Sequence, residues 1–291
     1  MAAQGLADRC VPVLGSVCDA GLLRALFDEH RPELVLHAAA LKHVPLMERN
    51  PLAALETNAL GTWRLAQAAR EHGARAMVLV STDKAVAPHS IMGAAKRIAE
   101  LVMVDEGARG AMRCAAVRLA NVIGSPCSVG PLFSEQVARG GPVTVTHPEA
   151  KRYFLILEET AALLAEAMDS DAAEGVLVPE PGEPVRIVDL ARRMMEAAGR
   201  DAPMEFVGLR PGDKLDESLV GAGERDAGPA TEGLRRVQSR GAQDLHARLD
   251  ELASAVTARD LPAALHVTAD LVPDYRPSAV LRVSIAEMAR L

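Results

Sequence analysis

The side chains best suited to chemistry follow directly after a short apolar run. Ser81-Thr82-Asp83-Lys84 comes at the end of a predicted strand over residues 77–80, and Met92-Gly-Ala-Ala-Lys96 begins the next predicted helix. Ligands of open α/β sheets bind outside the carboxyl ends of the strands. A hydroxyl, a carboxylate and an ammonium would therefore meet in one cleft, with Met92 and Lys96 one turn apart on the same helix face. The alternative interpretation is a solvated strand end whose carboxylate and ammonium pair locally.

Alternating strands and helices are predicted to position these residues. Runs rich in valine and leucine indicate strands covered on both faces, at residues 11–14, 34–38, 77–81, 115–121 and 176–178. Apolar residues at helical spacing lie between them, over residues 19–30, 51–72, 91–106 and 158–168. This order predicts an α/β fold with an incomplete Rossmann-like, doubly wound and mostly parallel sheet.

Changes in composition suggest three parts of the chain. Residues 1–122 are predicted to form a truncated dinucleotide-binding core, which receives a further strand from residues 176–178. Residues 123–221, with connections rich in glycine and proline, are predicted to form mainly a smaller substrate-binding lobe. The remaining 222–291 are predicted to begin with a mobile linker over 222–241 and to continue as a helical segment over 242–271.

Composition excludes several classes of function. With 291 residues, 49% of them hydrophobic, the chain can bury one large core. A net charge of −7 argues against a broad nucleic-acid-binding face, and no apolar run approaches the roughly 18–20 residues of a membrane span. The four cysteines lack paired metal-ligand spacing, and no export signal is visible. We therefore expect a cytoplasmic protein with reduced thiols and no bound metal, nucleic acid or membrane span. These cysteines are Cys10, Cys18, Cys114 and Cys127.

Seven segments in order carry a resemblance to a known family. They read HAAALKHVPLME, NPLAALETNALGT, STDKAV, IMGAAKRIAE, GGPVTVTHP followed by KRYF, GEPVRIVDLA, and GLRPGDKL. From about Val11 to Pro277 the chain resembles the extended short-chain dehydrogenase/reductases, and specifically the nucleotide-sugar 4,6-dehydratases of polysaccharide biosynthesis that act on UDP-N-acetylglucosamine.

The resemblance implies a UDP-sugar substrate, an NAD or NADP cofactor that regains its starting redox state, and a homo-oligomer. In such a lyase, hydride leaves C4 for the nicotinamide and the resulting ketone acidifies the C5 proton. Water is lost across C5 and C6, and the hydride returns to C6. The protein must supply a base for the 4-hydroxyl, a base for C5 and an acid for the departing 6-hydroxyl.

The same resemblance assigns roles at the strand end. Thr82 would hydrogen-bond the 4-hydroxyl, and Asp83 and Lys84 would be the acid and base of elimination, with the division between them open. Lys96 would bind the nicotinamide ribose and lower the pKa of the group that takes the 4-hydroxyl proton. Met92 stands where most short-chain dehydrogenases have a tyrosine. A methionine at this position resembles one branch of the dehydratase family.

Further residues are assigned to cofactor and substrate. The cofactor residues would be Asp19, Ala38 and Ala39. The substrate residues would be Lys42, His43, Asn121, Arg152, Arg210 and Lys214. Arginine can bind a diphosphate bidentately, but isolated arginines are usually surface charge, and Lys42 and His43 could equally belong to a polar loop.

The chain departs from the family at its cofactor clamp. No G-x-G-x-x-G follows a predicted strand, although this turn and the helix after it normally bind the pyrophosphate. In the Rossmann order the missing strands would separate residues 11–14 from residues 34–38. We expect either that the true start lies upstream, which ranks first, or that another chain supplies the unit, or that residues 11–14 move beside residues 34–38.

These observations leave three functions. The first is the dehydratase. The second is a catalytically inactive UDP-sugar-binding or regulatory relative, since the clamp is missing. The third is a nucleotide-sugar epimerase, which oxidises C4 without elimination. The Asp83-Lys84 pair favours the dehydratase, because a C4 epimerase needs no acid and base at C5 and C6.

Overall fold

A computed structural model describes residues 9–125, 128–180, 182–239 and 241–282. Its strands are β1 (Leu34–His37), β2 (Ala76–Thr82), β3 (Arg113–Leu119), β4 (Asn121–Val122), β5 (Val143–Val145), β6 (Lys151–Arg152), β7 (Phe154–Leu155), β8 (Gly175–Pro179), β9 (Val185–Arg186), β10 (Met204–Phe206), β11 (Arg225–Pro229) and β12 (Leu234–Gln238). Its α-helices are α1 (Ala20–His30), α2 (Val44–Arg49), α3 (Pro51–Ala54), α4 (Gly61–Glu71), α5 (Ile91–Ala108), α6 (Val129–Ala138), α7 (Leu157–Asp169), α8 (Ile187–Ala197), α9 (Leu245–Thr257) and α10 (Leu261–Leu271). A π-helical segment (Leu55–Leu60) joins α3 to α4, and a 3₁₀ turn (Asp83–Ala85) follows β2.

The main sheet has the order β1-β2-β3-β8-β12-β11. Its first four strands are parallel, whereas β12 and β11 run antiparallel to their neighbours. Val78 and Leu79 are successive residues of β2 and are both fully buried, because helices cover both faces of the sheet. The predicted α/β fold with a mostly parallel sheet is confirmed.

The strand predicted at residues 11–14 is wrong. This segment is irregular and lies in solvent, with Val11 71% exposed and Leu14 fully exposed. An apolar run becomes a strand only when a neighbouring strand pairs with it, and within the described residues β1 forms an edge of the sheet, paired with β2 alone. Residues 11–14 therefore do not move beside β1.

The mobile linker predicted over residues 222–241 is also wrong. β11 and β12 lie within it and extend the main sheet, with β12 pairing along β8. Leu234 and Val237 supply buried side chains at 1% and 3% exposure. The polar and glycine residues around them do not show the alternating pattern of a strand. These residues form strands because β12 pairs with β8, which is distant in sequence.

The predicted second lobe has an apolar cluster of its own. Phe133 and Val137 of α6 pack with β5 and with Ile187 and Ala191 of α8. By contrast, α7 packs against the main sheet through Ala167, and β8 is a strand of that sheet, although both fall within residues 123–221. The domain boundaries stay a prediction.

Buried charges connect the sheet to α5. The fully buried Arg118 of β3 donates to both carboxylate oxygens of Glu100 on α5, at 2.8 and 2.7 Å, and to Glu224 at 2.6 and 2.7 Å. Ser81 of β2 donates to Glu100 at 2.6 Å, and Arg97 donates to it at 2.9 Å. Burial alone would raise the pKa of Glu100, but Arg118, Arg97 and Ser81 lower it to about 2.

A glycine sets the closest approach between α5 and the strand-end residues. A Cβ added at Gly93 would lie 2.2 Å from the carbonyl oxygen of Lys84. Only glycine therefore fits at position 93 while Lys84 keeps its backbone position.

We expect Glu100→Gln to lower the free energy of unfolding by about 1.5–3 kcal/mol, because the change removes one of the two carboxylates that pair with the buried Arg118 and leaves only Glu224. The native pKa of Glu100 lies below its usual value, so its contribution is complete above about pH 4.5 and is lost as pH falls towards 2. Urea denaturation across this pH range would measure both effects. Glu251→Gln in the exposed Arg248–Glu251 pair is the control, with an expected loss below about 1 kcal/mol; equal losses in the two variants would contradict the assignment.

Gly93→Ala should destabilise the protein by about 1–3 kcal/mol, because the added methyl group displaces the backbone of Lys84. Urea denaturation measures the loss. Gly130→Ala in α6 is the matched control, since a Cβ there meets no atom within 4 Å; we expect a change within about 1 kcal/mol, neutral or stabilising. If the Gly93→Ala protein is as stable as the Gly130→Ala protein, the claim that no Cβ fits beside the Lys84 carbonyl is wrong.

Candidate active site

Thr82, Asp83 and Lys84 form a hydrogen-bonded chain at the carboxyl end of β2. The Thr82 hydroxyl donates to Asp83 Oδ1 at 2.9 Å, and Lys84 Nζ donates to the same oxygen at 2.9 Å. Asp83 is fully buried, and its second oxygen, Oδ2, has no hydrogen-bond partner in the described structure. A buried carboxylate oxygen without a donor is costly, and it keeps an unused capacity to accept a hydrogen bond.

Glu217 lies on the other side of Lys84. Its carboxylate is 3.7 Å from Lys84 Nζ and 3.0 Å from Lys214 Nζ, and Lys214 also donates to the carbonyl of Val86 at 2.6 Å. Burial favours the neutral amine of Lys84, but Asp83 and Glu217 outweigh it, so the pKa of Lys84 is raised. Lys214, which the sequence analysis assigned to the substrate, lies in this cluster, and its contact with the substrate stays a prediction.

Arg152 contacts the cluster through backbone groups. Its guanidinium donates to the carbonyls of Lys214, Leu215 and Lys151, each at 2.7 Å. Arg152 therefore fastens the loop that carries Lys214 and Glu217. Its predicted contact with a diphosphate would use donor capacity that these carbonyls leave over.

Lys96 is buried on α5 at 5% exposure, one turn after the buried Met92. Burial lowers the pKa of Lys96 to about 8, partly opposed by Glu100. At the carboxyl end of β1, burial and the nearby Lys96 lower the pKa of His37 to about 3, so this imidazole is neutral. His37 Nε2 lies 2.9 Å from Thr62 Oγ1. Lys96 is thus still mostly protonated at neutral pH, but its pKa is shifted as at many functional sites.

Several predicted residues lie outside this cluster. Lys42 and His43 are exposed before α2, where His43 is the residue at the helix start. Arg210 is exposed and pairs with Asp213 at 2.8 Å. Asn121 of β4 donates to the carbonyl of Tyr153 at 3.3 Å. Substrate contacts by these residues stay predictions.

Of the residues assigned to the cofactor, three also lie outside the cluster. Asp19 caps the start of α1 by accepting from the amide of Leu22 at 3.0 Å, so its carboxylate already serves the fold. Ala38 and Ala39 are exposed where β1 ends. Of the predicted cofactor residues, Lys96 alone is buried beside the strand-end cluster.

The sequence did not single out Glu217 or His89. Glu217 follows Lys214 by three residues, and that spacing was the available signal. His89 lies in the loop between Lys84 and α5. Burial, Lys214 and Arg276 lower its pKa, while Glu217 raises it. These charged residues come from segments that are distant in sequence, so no single motif shows that they lie together.

A nicotinamide cofactor fits part of this structure. The unpaired oxygen of Asp83 and the buried Lys96 flank the carboxyl ends of β1 and β2, where such a ring would bind. Among the described residues no strand is followed by a glycine-rich turn of the G-x-G-x-x-G type, which would hold the pyrophosphate. The described residues therefore fit the reactive end of the cofactor and not its phosphates.

In the described part of the chain, every helix is too short or too polar to cross a membrane. The thiol of Cys114 is buried, and Cys127 lies outside the described residues.

The sequence is similar to that of a polysaccharide biosynthesis protein. The chain is 39% identical over 270 residues to the probable polysaccharide biosynthesis protein EpsC of Bacillus subtilis, covering 89% of this chain and 44% of that relative. It therefore spans less than half the length of EpsC.

Solved structures share the fold. The UDP-glucose 4-epimerase of Thermus thermophilus in complex with NAD is 25% identical, with a TM-score of 0.64 and coverage of 69% of this chain and 73% of that chain. The dTDP-glucose 4,6-dehydratase DesIV of Streptomyces venezuelae, with NAD bound, is 24% identical with a TM-score of 0.68, covering 76% of this chain and 74% of that chain. The model of the polysaccharide biosynthesis protein family matches residues 1–238, so the chain belongs to this family.

Proposed function

We propose that this chain catalyses the NAD-dependent loss of water from a UDP-sugar to give a 4-keto-6-deoxy sugar, with UDP-N-acetylglucosamine as the first substrate to test. The observation that carries the proposal is the buried Asp83 carboxylate, which has one unpaired oxygen and an ion pair with Lys84. Elimination across C5 and C6 requires an acid and a base side by side. Homo-oligomer formation, cytoplasmic location and the choice between NAD and NADP stay predictions.

The chain's residues divide the proton transfers between them. NAD, when bound, supplies an acceptor for the C4 hydride and returns that hydride to C6. Thr82 directs its own proton at Asp83, so a proton leaving the 4-hydroxyl would pass to the Thr82 oxygen while the Thr82 proton passes to the Asp83 carboxylate, which can then give it to the departing 6-hydroxyl. Asp83 and Lys84 share the two transfers of the elimination. The thioether of Met92 cannot accept a proton, and Met92 packs in the core instead.

Glu217 controls the proton on Lys84 in this proposal. Its carboxylate and that of Asp83 hold the ammonium between two negative charges, which raises the pKa of Lys84. An amine of raised pKa holds its proton until substrate binding changes its surroundings. Glu217 is therefore a positioning residue for the acid–base pair.

A UDP-sugar 4-epimerase is the second candidate. The similarity to the Thermus epimerase that binds NAD supports it. Against it, C4 epimerisation needs one base at the 4-hydroxyl, and the Asp83–Lys84–Glu217 cluster provides more groups than that step uses.

The purified chain, mixed with NAD and UDP-N-acetylglucosamine, should yield a nucleotide sugar that has lost one water, measured by mass spectrometry. Asp83→Asn and Lys84→Met should each lower the rate by about 10²–10⁴-fold, because each removes one proton-transfer group. Their affinity for the UDP-sugar, measured by calorimetry, should change little. Lys151→Met, which removes an exposed lysine, is the control and should keep the rate.

The products distinguish the candidates. An isomer of unchanged mass would establish the epimerase. UDP-sugar binding without any product, by a chain that does not bind NAD, would leave the inactive regulatory relative.

We expect Glu217→Gln to move the Lys84-dependent limb of the pH–rate profile to lower pH. The substitution removes a negative charge that raises the Lys84 pKa, so the amine loses its proton at a lower pH. If Lys84 is the acid, the rate on the alkaline side falls; if it is the base, the rate at neutral pH rises. Because the pKa of Lys84 is raised above its usual 10.5, kcat of both proteins is measured from about pH 6 to about pH 12.

Asp216→Asn is the matched control, since Asp216 is the exposed neighbouring carboxylate. Its profile should superimpose on that of the wild type. A Glu217→Gln profile without a shift would show that Glu217 does not act on Lys84.

A further inference from the structure

The C-terminal part of the chain lies beyond the family match and packs on the helices beside the candidate site. The family match ends at residue 238, whereas α9 and α10 begin at Leu245 and Leu261. Leu249, Leu252 and Leu265 are buried in the same apolar cluster as α5 and the π-helical segment. His246 on α9 also contacts Asp105 of α5 at 2.8 Å. The pair α9 and α10 is therefore an integral layer of the fold.

The segment that follows α10 reaches the loop between Lys84 and α5. Val272 and Tyr275 bury their side chains, and the amide of Arg276 donates to the carbonyl of Pro88 at 2.9 Å. Two residues later, the buried Ser278 donates its hydroxyl to Glu48 Oε2. We call Val272 to Ser278 the C-terminal strap.

Glu48 passes this contact on to α5. Its other oxygen, Oε1, accepts from the amide of Ile91, the first residue of α5, at 2.7 Å. Glu48 is 2% exposed, so its carboxylate depends on these two donors and on the positive end of the helix. Ser278 is thereby connected through one buried carboxylate to the start of the helix that carries Met92 and Lys96.

The loop held in this way has a strained backbone. Ala87 has φ +37°, a value rare for residues other than glycine, and Pro88 follows it. Such a conformation persists when the surrounding structure fixes it from several sides. Here Lys214 binds the carbonyl of Val86, Arg276 binds that of Pro88, and Glu48 binds the amide of Ile91.

We propose that the C-terminal strap positions the loop between Lys84 and α5. In this proposal Ser278 and Glu48 are positioning residues that fix the start of α5 relative to Lys84. Lys84 precedes the loop and Lys96 follows it, so the strap sets the distance between the two lysines that the reaction uses. The catalytic consequence rests on the proposed dehydratase function, and the hold on the loop does not.

Ser278→Ala in the full chain tests the hold by hydrogen exchange with mass spectrometry. Loss of one hydrogen bond should speed exchange in peptides covering residues 86–92 by roughly 2- to 10-fold, while peptides from β8 report any global loss of stability. Ser254→Ala on α9 removes an exposed hydroxyl that bonds the carbonyl of Asp250, and it should leave residues 86–92 unchanged. Ser278→Thr, which keeps the hydroxyl, should restore slow exchange. Unchanged exchange in Ser278→Ala would overturn the proposal.

Kinetics test the catalytic consequence. In an active enzyme, Ser278→Ala should lower kcat by roughly 2- to 10-fold, with KM for the UDP-sugar unchanged and with recovery in Ser278→Thr. Faster exchange with an unchanged kcat would overturn the positioning role. If the wild type forms no dehydrated product, the proposed function fails by itself, and the exchange of residues 86–92 still decides whether the strap holds the loop.

Discussion

The ion pair between Arg118 and Glu100 fixes the helix that the candidate site depends on. It joins β3 to α5 with two hydrogen bonds, and Ser81 adds a third contact from β2, one residue before Thr82. Glu224 accepts from the same guanidinium, so the segment that leads into β11 is tied to the same point. A buried pair of this kind offers little net stability over an apolar substitute, but it tolerates few alternative arrangements. The position of Lys96 relative to the end of β2 follows from it.

The site itself is a sequence of alternating charges. Asp83, Lys84, Glu217 and Lys214 follow one another with separations of 2.9, 3.7 and 3.0 Å. Each cation lies beside a carboxylate, so each proton is held in an electric field that would change when the sugar of the proposed substrate replaces water there. The unpaired oxygen of Asp83 marks the place where that disturbance would begin.

Local sequence pattern predicted the helices whose starts are set by nearby residues. Asp19 marked the start of α1, and Ser90 now caps α5, one residue before the predicted start. The strand-end cluster also followed from sequence, because the carboxyl ends of parallel strands are the usual place for ligands.

Long-range pairing accounts for what the sequence did not predict. Residues 11–14 have the composition of a strand but no neighbouring strand in the described part of the chain, whereas β11 and β12 have a poor strand pattern and a good partner in β8. Glu217 and Glu48 were missed for the same reason. Each meets its partner through the fold, with Ser278 lying 230 residues beyond Glu48.

Two separate parts of the chain converge on the loop between Lys84 and α5. From the second lobe, Gly212 at φ +83° lies so near Ser90 that a Cβ would approach it to 2.8 Å, and Lys214 binds the carbonyl of Val86. From the other direction, the C-terminal strap binds Pro88 and, through Glu48, Ile91. The strained loop is thus bound from both sides between Lys84 and Lys96. The lobe that contacts this loop is also the one predicted to hold the sugar nucleotide, so in the proposed function substrate binding would act on the loop that joins the two lysines.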